Sequence, residues 1–344
     1  PDMKTFSRPT VGVVGATGAV GTTMVSILAE RSFPVSDMRL FASSRSAGRS
    51  VDTPWGEIVI EDLATADPAG IDIALFSAGG SRSLEFAPAF ATAGATVIDN
   101  SSAFRMDPHV PLVVANVNDA AIAAHEGIVA NPNCTTMAIM MAAGPLHAVA
   151  GLSTMVATSY QSVSGSGHTG MTQLAKEIDH FAANRDGLAI GDWTDPGGDL
   201  YARPIGYNVL PLAGSITRAG YTDEEWKLVD ETRKILDRSD IAVEPTCVRV
   251  PVMVGHGIAA SMWFDRGIDL DEAVAILGSA PGTQLWDDTN VPTPLDSAGI
   301  DDVLIGRLRE TIGRPGGISL FAIGDNLRKG AALNAVELAE LLVG

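Results

Sequence analysis

The chain has 344 residues, 46% hydrophobic and 19% charged, which suits about two globular domains and excludes disordered and fibrous classes. A formal charge of -18 excludes the lysine and arginine excess that nucleic acid or an anionic membrane surface requires, so positive charge for any anionic ligand must be local. Two cysteines and six scattered histidines offer neither a disulfide framework nor metal-ligand spacing, Pro1 to Phe6 has no signal core, and no apolar run is long enough for a membrane span; a metal-free cytoplasmic protein is expected.

Residues 11 to 30 read as a β-branched strand, a turn carrying Gly15, Gly18 and Gly21, and a helix with Met24, Val25, Ile27 and Leu28 on its apolar positions. This order builds a phosphate-binding opening: glycines admit backbone close to a pyrophosphate, and the helix N-terminus offers N–H groups and positive dipole. A second strand, Met38 to Ala42, ends in Ser43-Ser44-Arg45-Ser46, where hydroxyls and an arginine replace the acid that would hold a ribose 2′-hydroxyl. That chemistry predicts NADP; the plainer reading is a solvated loop arginine. Strands Ile71 to Gly80 and Ala95 to Asn100, each ending in small or polar residues, flank a helical stretch from Ser83 to Ala93, which predicts parallel βαβ units with ligand-facing loops at the carboxyl edge. Arg105 follows that edge, as an anion ligand or a surface ion pair.

Asn131-Pro132-Asn133-Cys134-Thr135-Thr136 then opens an apolar run from Met137 to Val149, so Cys134 is predicted at a helix N-terminus, where the dipole favours the thiolate. A lone cysteine is otherwise a small buried hydrophobe. Met155 to Gln161 reads as a strand leading to the flexible loop Ser162 to Gly167, and Thr172 to Asn184 as an amphipathic helix. Residues 186 to 220 read as extended loop with a short strand near Asn208 to Leu212. Thr222 and Glu225 form a capping box for a helix on which Glu224, Lys227, Glu231 and Lys234 share a face, by pattern alone a solvated one. Thr246 to Val252 is a strand; Gly255-His256-Gly257 reads as the turn after it, the flanking glycines leaving the ring accessible. A strand Met262 to Phe264, a helix Leu270 to Leu277 and an amphipathic helix from Ala331 to Val343 finish the chain.

Taken in order, Gly15 to Gly21, Asp99-Asn100-Ser101-Ser102, Asn131 to Thr136, Tyr160 to Gly165, Arg249-Val250-Pro251-Val252 and Gly324 to Gly330 resemble the aspartate-β-semialdehyde dehydrogenase family. The resemblance implies an α/β protein: an N-terminal Rossmann-type parallel-sheet domain over 1–133, with a C-terminal helix 325–344 returning to it, plus a mixed α+β catalytic and dimerisation domain over 134–324. It implies a homodimer that uses NADPH to convert L-4-aspartyl phosphate into L-aspartate 4-semialdehyde and phosphate, in the synthesis of lysine, threonine and methionine. Cys134 is then the nucleophile, Gln161 an orienter of the acyl group and His256 the acid/base. Arg105 and Lys227 fall on phosphate, Arg249 and Glu224 on the substrate carboxylate and amino group. Thr17, Gly18, Ala19, Val20, Arg45, Ser46, Ser164, Gly165 and Asn326 fall on the cofactor.

The residue types fit that chemistry. A thiolate displaces phosphate from an acyl phosphate to leave a thioester, which accepts hydride more readily than a carboxylate. Helix-start N–H groups suit the oxyanion, and an imidazole titrating near neutrality suits the proton transfers. Two other readings compete: a reductase of N-acetylglutamyl phosphate, disfavoured because Glu224 suits a free ammonium, and a non-catalytic NADP-binding protein. One departure from the family pattern is Asn116, where many members carry glutamate before the Val-Asn pair; His168 receives no role.

Overall fold

A run as apolar as Val11 to Val14 has no face for water, and a strand covered on both sides belongs in the middle of a parallel sheet. It takes that place in the computed structural model of the chain, which describes residues 5–344. Residues 1–4, part of the stretch read as lacking a signal core, lie outside the described residues. By its internal contacts the chain divides into two units, one of residues 1–144, 230–239 and 327–344, the other of 145–229 and 240–326.

The first unit begins with β1 (Thr10–Val14), α1 (Ala19–Glu30), β2 (Asp37–Ala42), the hairpin β3 (Ser50–Thr53) and β4 (Gly56–Val59), and β5 (Glu61–Asp62). It continues through β6 (Ile73–Phe76), α2 (Gly80–Thr92), β7 (Thr96–Asp99), β8 (Ile128–Ala130) and the start of α3 (Cys134–Ala150). The sheet runs β5-β2-β1-β6-β7-β8 with every neighbour parallel. That is the doubly wound order, its direction reversing between β1 and β6, where ligands meet the carboxyl ends of the strands. Gly15 sits at this point with φ +84°, and a Cβ there would lie 2.3 Å from the Ser77 carbonyl oxygen. Only glycine fits so close an approach.

The second unit carries β9 (Leu152–Gln161), α4 (Gly167–Ala182), α5 (Arg185–Ile190), the start of α6 (Asp223–Ile235), β10 (Ala242–Arg249) and β11 (His256–Phe264). After these come α7 (Leu270–Ser279), β12 (Thr283–Leu285), α8 (Pro294–Ser297), β13 (Val303–Glu310) and β14 (Gly317–Gly324). Its sheet, β10-β9-β11-β14-β13-β12, mixes parallel and antiparallel neighbours. Along β9, Met155, Ala157, Ser159 and Gln161 are buried while Val156 and Tyr160 are exposed, so one face is core and the other open. Finally α9 (Leu333–Glu340) follows a π-helical turn, Arg328–Ala332, and Leu333, Val336, Leu338 and Leu342 share a core with Val11, Met24 and Ile27 of the first unit.

Several local expectations meet corrections. Residues 208–212 form no strand; Leu210 makes a single bridge to Arg249. Met262 to Phe264 is the end of β11, which begins at His256, so His256 stands in a strand rather than a turn. Glu231 is 1% exposed, not part of a solvated face. By contrast the capping box holds: Thr222 N–H donates to Glu225 Oε2 at 2.8 Å and Glu225 N–H to Thr222 Oγ1 at 3.2 Å. Asn116 has φ +71°, a left-handed conformation that asparagine tolerates far better than glutamate, which gives the departure from the family pattern a backbone reason.

Candidate active site

In the first unit Cys134 is the first residue of α3 and remains partly accessible. Asn133 caps the helix, its Oδ1 accepting Thr135 N–H at 2.9 Å. The Asn133 N–H donates to Glu231 Oε2 at 2.7 Å, and the Asn131 carbonyl accepts Arg105 Nε at 2.9 Å. The Asn131 side chain is held by Asn334, whose Nδ2 donates to its Oδ1 at 2.6 Å. Arg105 is 7% exposed, so it is not a surface ion pair; it bridges to Glu231 at 3.0 Å and donates to the Asn100 carbonyl at 2.7 Å.

The same unit has a cavity of about 460 Å³ at the Gly15 turn, lined by Thr17, Gly18, Arg45 and Ser46 and by two arginines that sequence reading passed over, Arg49 and Arg82. Ala19 and Val20 form the first turn of α1, which carries no acid and which no side chain caps. The residues fit a dinucleotide phosphate: an open helix end, a turn whose glycines pack backbone against backbone, and three guanidinium groups. Arg49 and Arg82 were hidden because each lies in a stretch whose local pattern shows only surface chain.

In the second unit His256 is 1% exposed. Its Nδ1 accepts Ser162 N–H at 3.1 Å and lies 3.0 Å from Ser162 Oγ, which leaves the proton on Nε2. Asn326 Oδ1 accepts Ser162 Oγ, Ser164 Oγ and Gly255 N–H, each at 3.0 Å, knitting the loop after β9 to the start of β11. Gly165 packs so that a Cβ would lie 3.3 Å from both Arg249 Nη1 and His256 Nε2. Arg249, 9% exposed, donates from Nη1 to the Ser162 carbonyl at 2.9 Å, and its buried Nε has no hydrogen-bond partner among the described residues. Gln161 Nε2 donates to Glu224 Oε2 at 3.3 Å. Lys227 reaches Glu224 at 2.6 Å and Asp223 at 2.7 Å; burial works to lower its proton affinity, but the two carboxylates outweigh it and raise it.

One group differs from the chemistry read off the sequence, and a second, unassigned there, finds its place. Burial foremost, and then the Arg249 charge, pushes the His256 imidazole down to about 3, so it does not titrate near neutrality. The glycines flanking it serve packing instead: a Cβ at Gly257 would strike the Phe321 ring at 2.4 Å. Cys247 is fully buried and burial pushes its thiol up to about 12, which leaves it an inert core residue.

The buried imidazole has a stability consequence. An unfolded histidine binds a proton below about pH 6.5 and the folded one does not, so stability is present above that value and is lost as pH falls towards 3. Urea unfolding of the native chain is expected to lose about 2 kcal/mol more between pH 7 and pH 5 than that of His256→Gln, at about 1.4 kcal/mol per pH unit below 6.5. Equal losses would place the histidine in contact with water.

A nucleotide cavity at the switch point and a cysteine at a helix start define a nucleotide-dependent dehydrogenase of carbonyl or acyl groups, and comparison with known proteins agrees. Residues 10–125 match the family model described as semialdehyde dehydrogenase, NAD binding domain, and residues 144–329 the one described as semialdehyde dehydrogenase, dimerisation domain. The aspartate-semialdehyde dehydrogenase of Streptomyces akiyoshiensis is 52% identical over 96% of this chain and 98% of that protein, and the one of Corynebacterium glutamicum 50% identical over 97% and 99%. The crystal structure of aspartate semialdehyde dehydrogenase II from Vibrio cholerae, complexed with ASA, superposes with a TM-score of 0.92 at 40% identity, covering 98% of both chains. The chain belongs to the aspartate-semialdehyde dehydrogenase family. No described helix is long and apolar enough to cross a membrane.

Proposed function

We propose that this chain reduces L-4-aspartyl phosphate to L-aspartate 4-semialdehyde and phosphate through a thioester on Cys134, with NADPH as the reductant, as a cytoplasmic homodimer in amino-acid biosynthesis. The observation that carries the chemistry is Cys134 at the first position of α3, its preceding N–H fastened to a buried carboxylate. Cys134 Sγ attacks the acyl carbon, the C–O bond to phosphate breaks, and phosphate leaves with that electron pair. Helix-start N–H groups donate to the developing oxyanion. Arg105 and Lys227 hold the phosphate; Arg249, with a buried donor to spare, takes the substrate carboxylate, and Glu224 the ammonium.

His256, as the acid/base group, is a neutral imidazole whose Nε2–H donates to the oxyanion of the tetrahedral species; on collapse the carbonyl re-forms, the C–S bond breaks and Cys134 leaves as thiolate, so the ring keeps its proton throughout. Gln161 orients the acyl oxygen. The bound nicotinamide supplies the hydride that converts the thioester to the aldehyde level. Thr17, Gly18, Ala19 and Val20 would hold its pyrophosphate, and Arg45 with Ser46 a 2′-phosphate, a reading supported by Arg49 and Arg82 on the same cavity. Ser164, Gly165 and Asn326 shape the nicotinamide end. The open face of the β9–β14 sheet, with Val156 and Tyr160 exposed on it, lies within the stretch matching the dimerisation domain and supports self-association there.

Purified protein given L-aspartate semialdehyde and phosphate is expected to reduce NADP at least about tenfold faster than NAD, and to leave N-acetylglutamate semialdehyde untouched. Turnover of the acetylated substrate, or equal use of NAD, would overturn the substrate or the cofactor assignment respectively.

A further inference from the structure

The helix face that reads as solvated surface in the sequence carries two Glu-x-x-Lys pairs, and the reaction uses only the first. The second, Glu231 and Lys234, is built into the first unit. Glu231 is 1% exposed, with Oε1 3.0 Å from Arg105 Nη1 and Oε2 2.7 Å from the Asn133 N–H, the amide one residue before the nucleophile. A buried carboxylate is costly unless paired, and a packing residue at this position would be cheaper as a hydrocarbon. Its two oxygens instead join two parts of the site. Lys234, one turn further on, donates to the carbonyls of Arg105 at 2.6 Å, Asp107 at 2.6 Å and Val110 at 2.8 Å, all on the loop that carries Arg105. The Arg105 guanidinium spends three of its five N–H groups on Glu231, Asn131 and Asn100, which leaves two for an anion.

We infer that Glu231, supported by Lys234, is a positioning residue that keeps Arg105 and the Cys134 loop in one geometry, so that the leaving phosphate is held where the thiolate attacks. The inference rests on the reading of Arg105 as a phosphate ligand. Glu231→Gln is the sharpest probe, because an amide offers one acceptor and one donor and cannot accept from both Arg105 and Asn133.

The experiment measures phosphate-dependent NADP reduction for the native chain, Glu231→Gln, Lys234→Met, Arg105→Ala and both double variants with Arg105→Ala. Expected for Glu231→Gln is a phosphate KM raised about tenfold or more and a lower kcat, with the NADP KM unchanged within about twofold, a split that general loss of structure would not produce. Lys234→Met is expected to raise the phosphate KM about threefold and keep kcat. In the Arg105→Ala background both effects shrink below about twofold, because each acts through that arginine. Native phosphate KM values in Glu231→Gln and Lys234→Met, or undiminished effects without Arg105, would overturn the inference alone. An Arg105→Ala variant with native phosphate KM would overturn the Arg105 reading and this inference with it. Should Glu231→Gln not fold, the Lys234→Met cycle decides by the same criteria.

Discussion

Cys134→Ser is expected to lower kcat by at least about a thousandfold while leaving NADP affinity and folding close to native. The hydroxyl keeps the shape of the side chain at the start of α3, so Asn133 still caps Thr135 and the helix still begins where it does. What disappears is the thiol, whose thiolate is a far better nucleophile than a serine hydroxyl. No strong base rescues the serine, since burial keeps the His256 imidazole from accepting protons in the neutral range. The cofactor cavity at Gly15, Arg45 and Ser46 involves none of these atoms. Rates of phosphate-dependent NADP reduction, with NADP binding followed by fluorescence, check both halves; retained turnover would move the nucleophile elsewhere, and lost cofactor binding would make Cys134 structural.

Arg249→Leu is expected to lower kcat/KM for the semialdehyde by about a hundredfold to a thousandfold, mainly through KM, from the loss of a charge-assisted fork on the substrate carboxylate. Folding stability is expected to hold or rise, because the native chain bears the desolvation of a buried guanidinium that donates to the Ser162 carbonyl and whose Nε has no partner among the described residues. The change also reaches His256: Arg249 helps to depress that imidazole, so its removal raises the proton affinity of His256 and softens the acid sensitivity of folding. Steady-state kinetics beside urea unfolding at pH 7 and pH 5 separates these effects. An unchanged semialdehyde KM would take Arg249 out of the site.

The parts of this molecule visible in the chain are those whose causes are local. The glycine turn, the apolar strand before it and the Thr222 to Glu225 capping box involve residues within a few positions of each other, and spacing alone expresses their geometry. Strands β13 and β14 escaped notice because β13 ends in the largely polar run Arg307 to Glu310 and β14 begins and ends in glycine; the antiparallel pairing of β14 with β11 and with β13 makes them strands. Likewise a pattern of charges every three or four residues says which side chains share a helix face, but not whether that face meets water.

By itself, then, the sequence determined that the chain opens with a phosphate-binding turn, that Cys134 starts an apolar helix, and that acids, bases and arginines suited to an acyl phosphate follow in a set order. Tertiary structure decided their electrical state. Arg105 and Glu231 are 126 residues apart in the chain yet share a buried ion pair, and His256 loses its proton affinity because β11 is packed into a core and Arg249 stands nearby. Proton affinity and pairing depend on which distant groups displace water from a side chain, and that is a property of the packed chain rather than of neighbours along it.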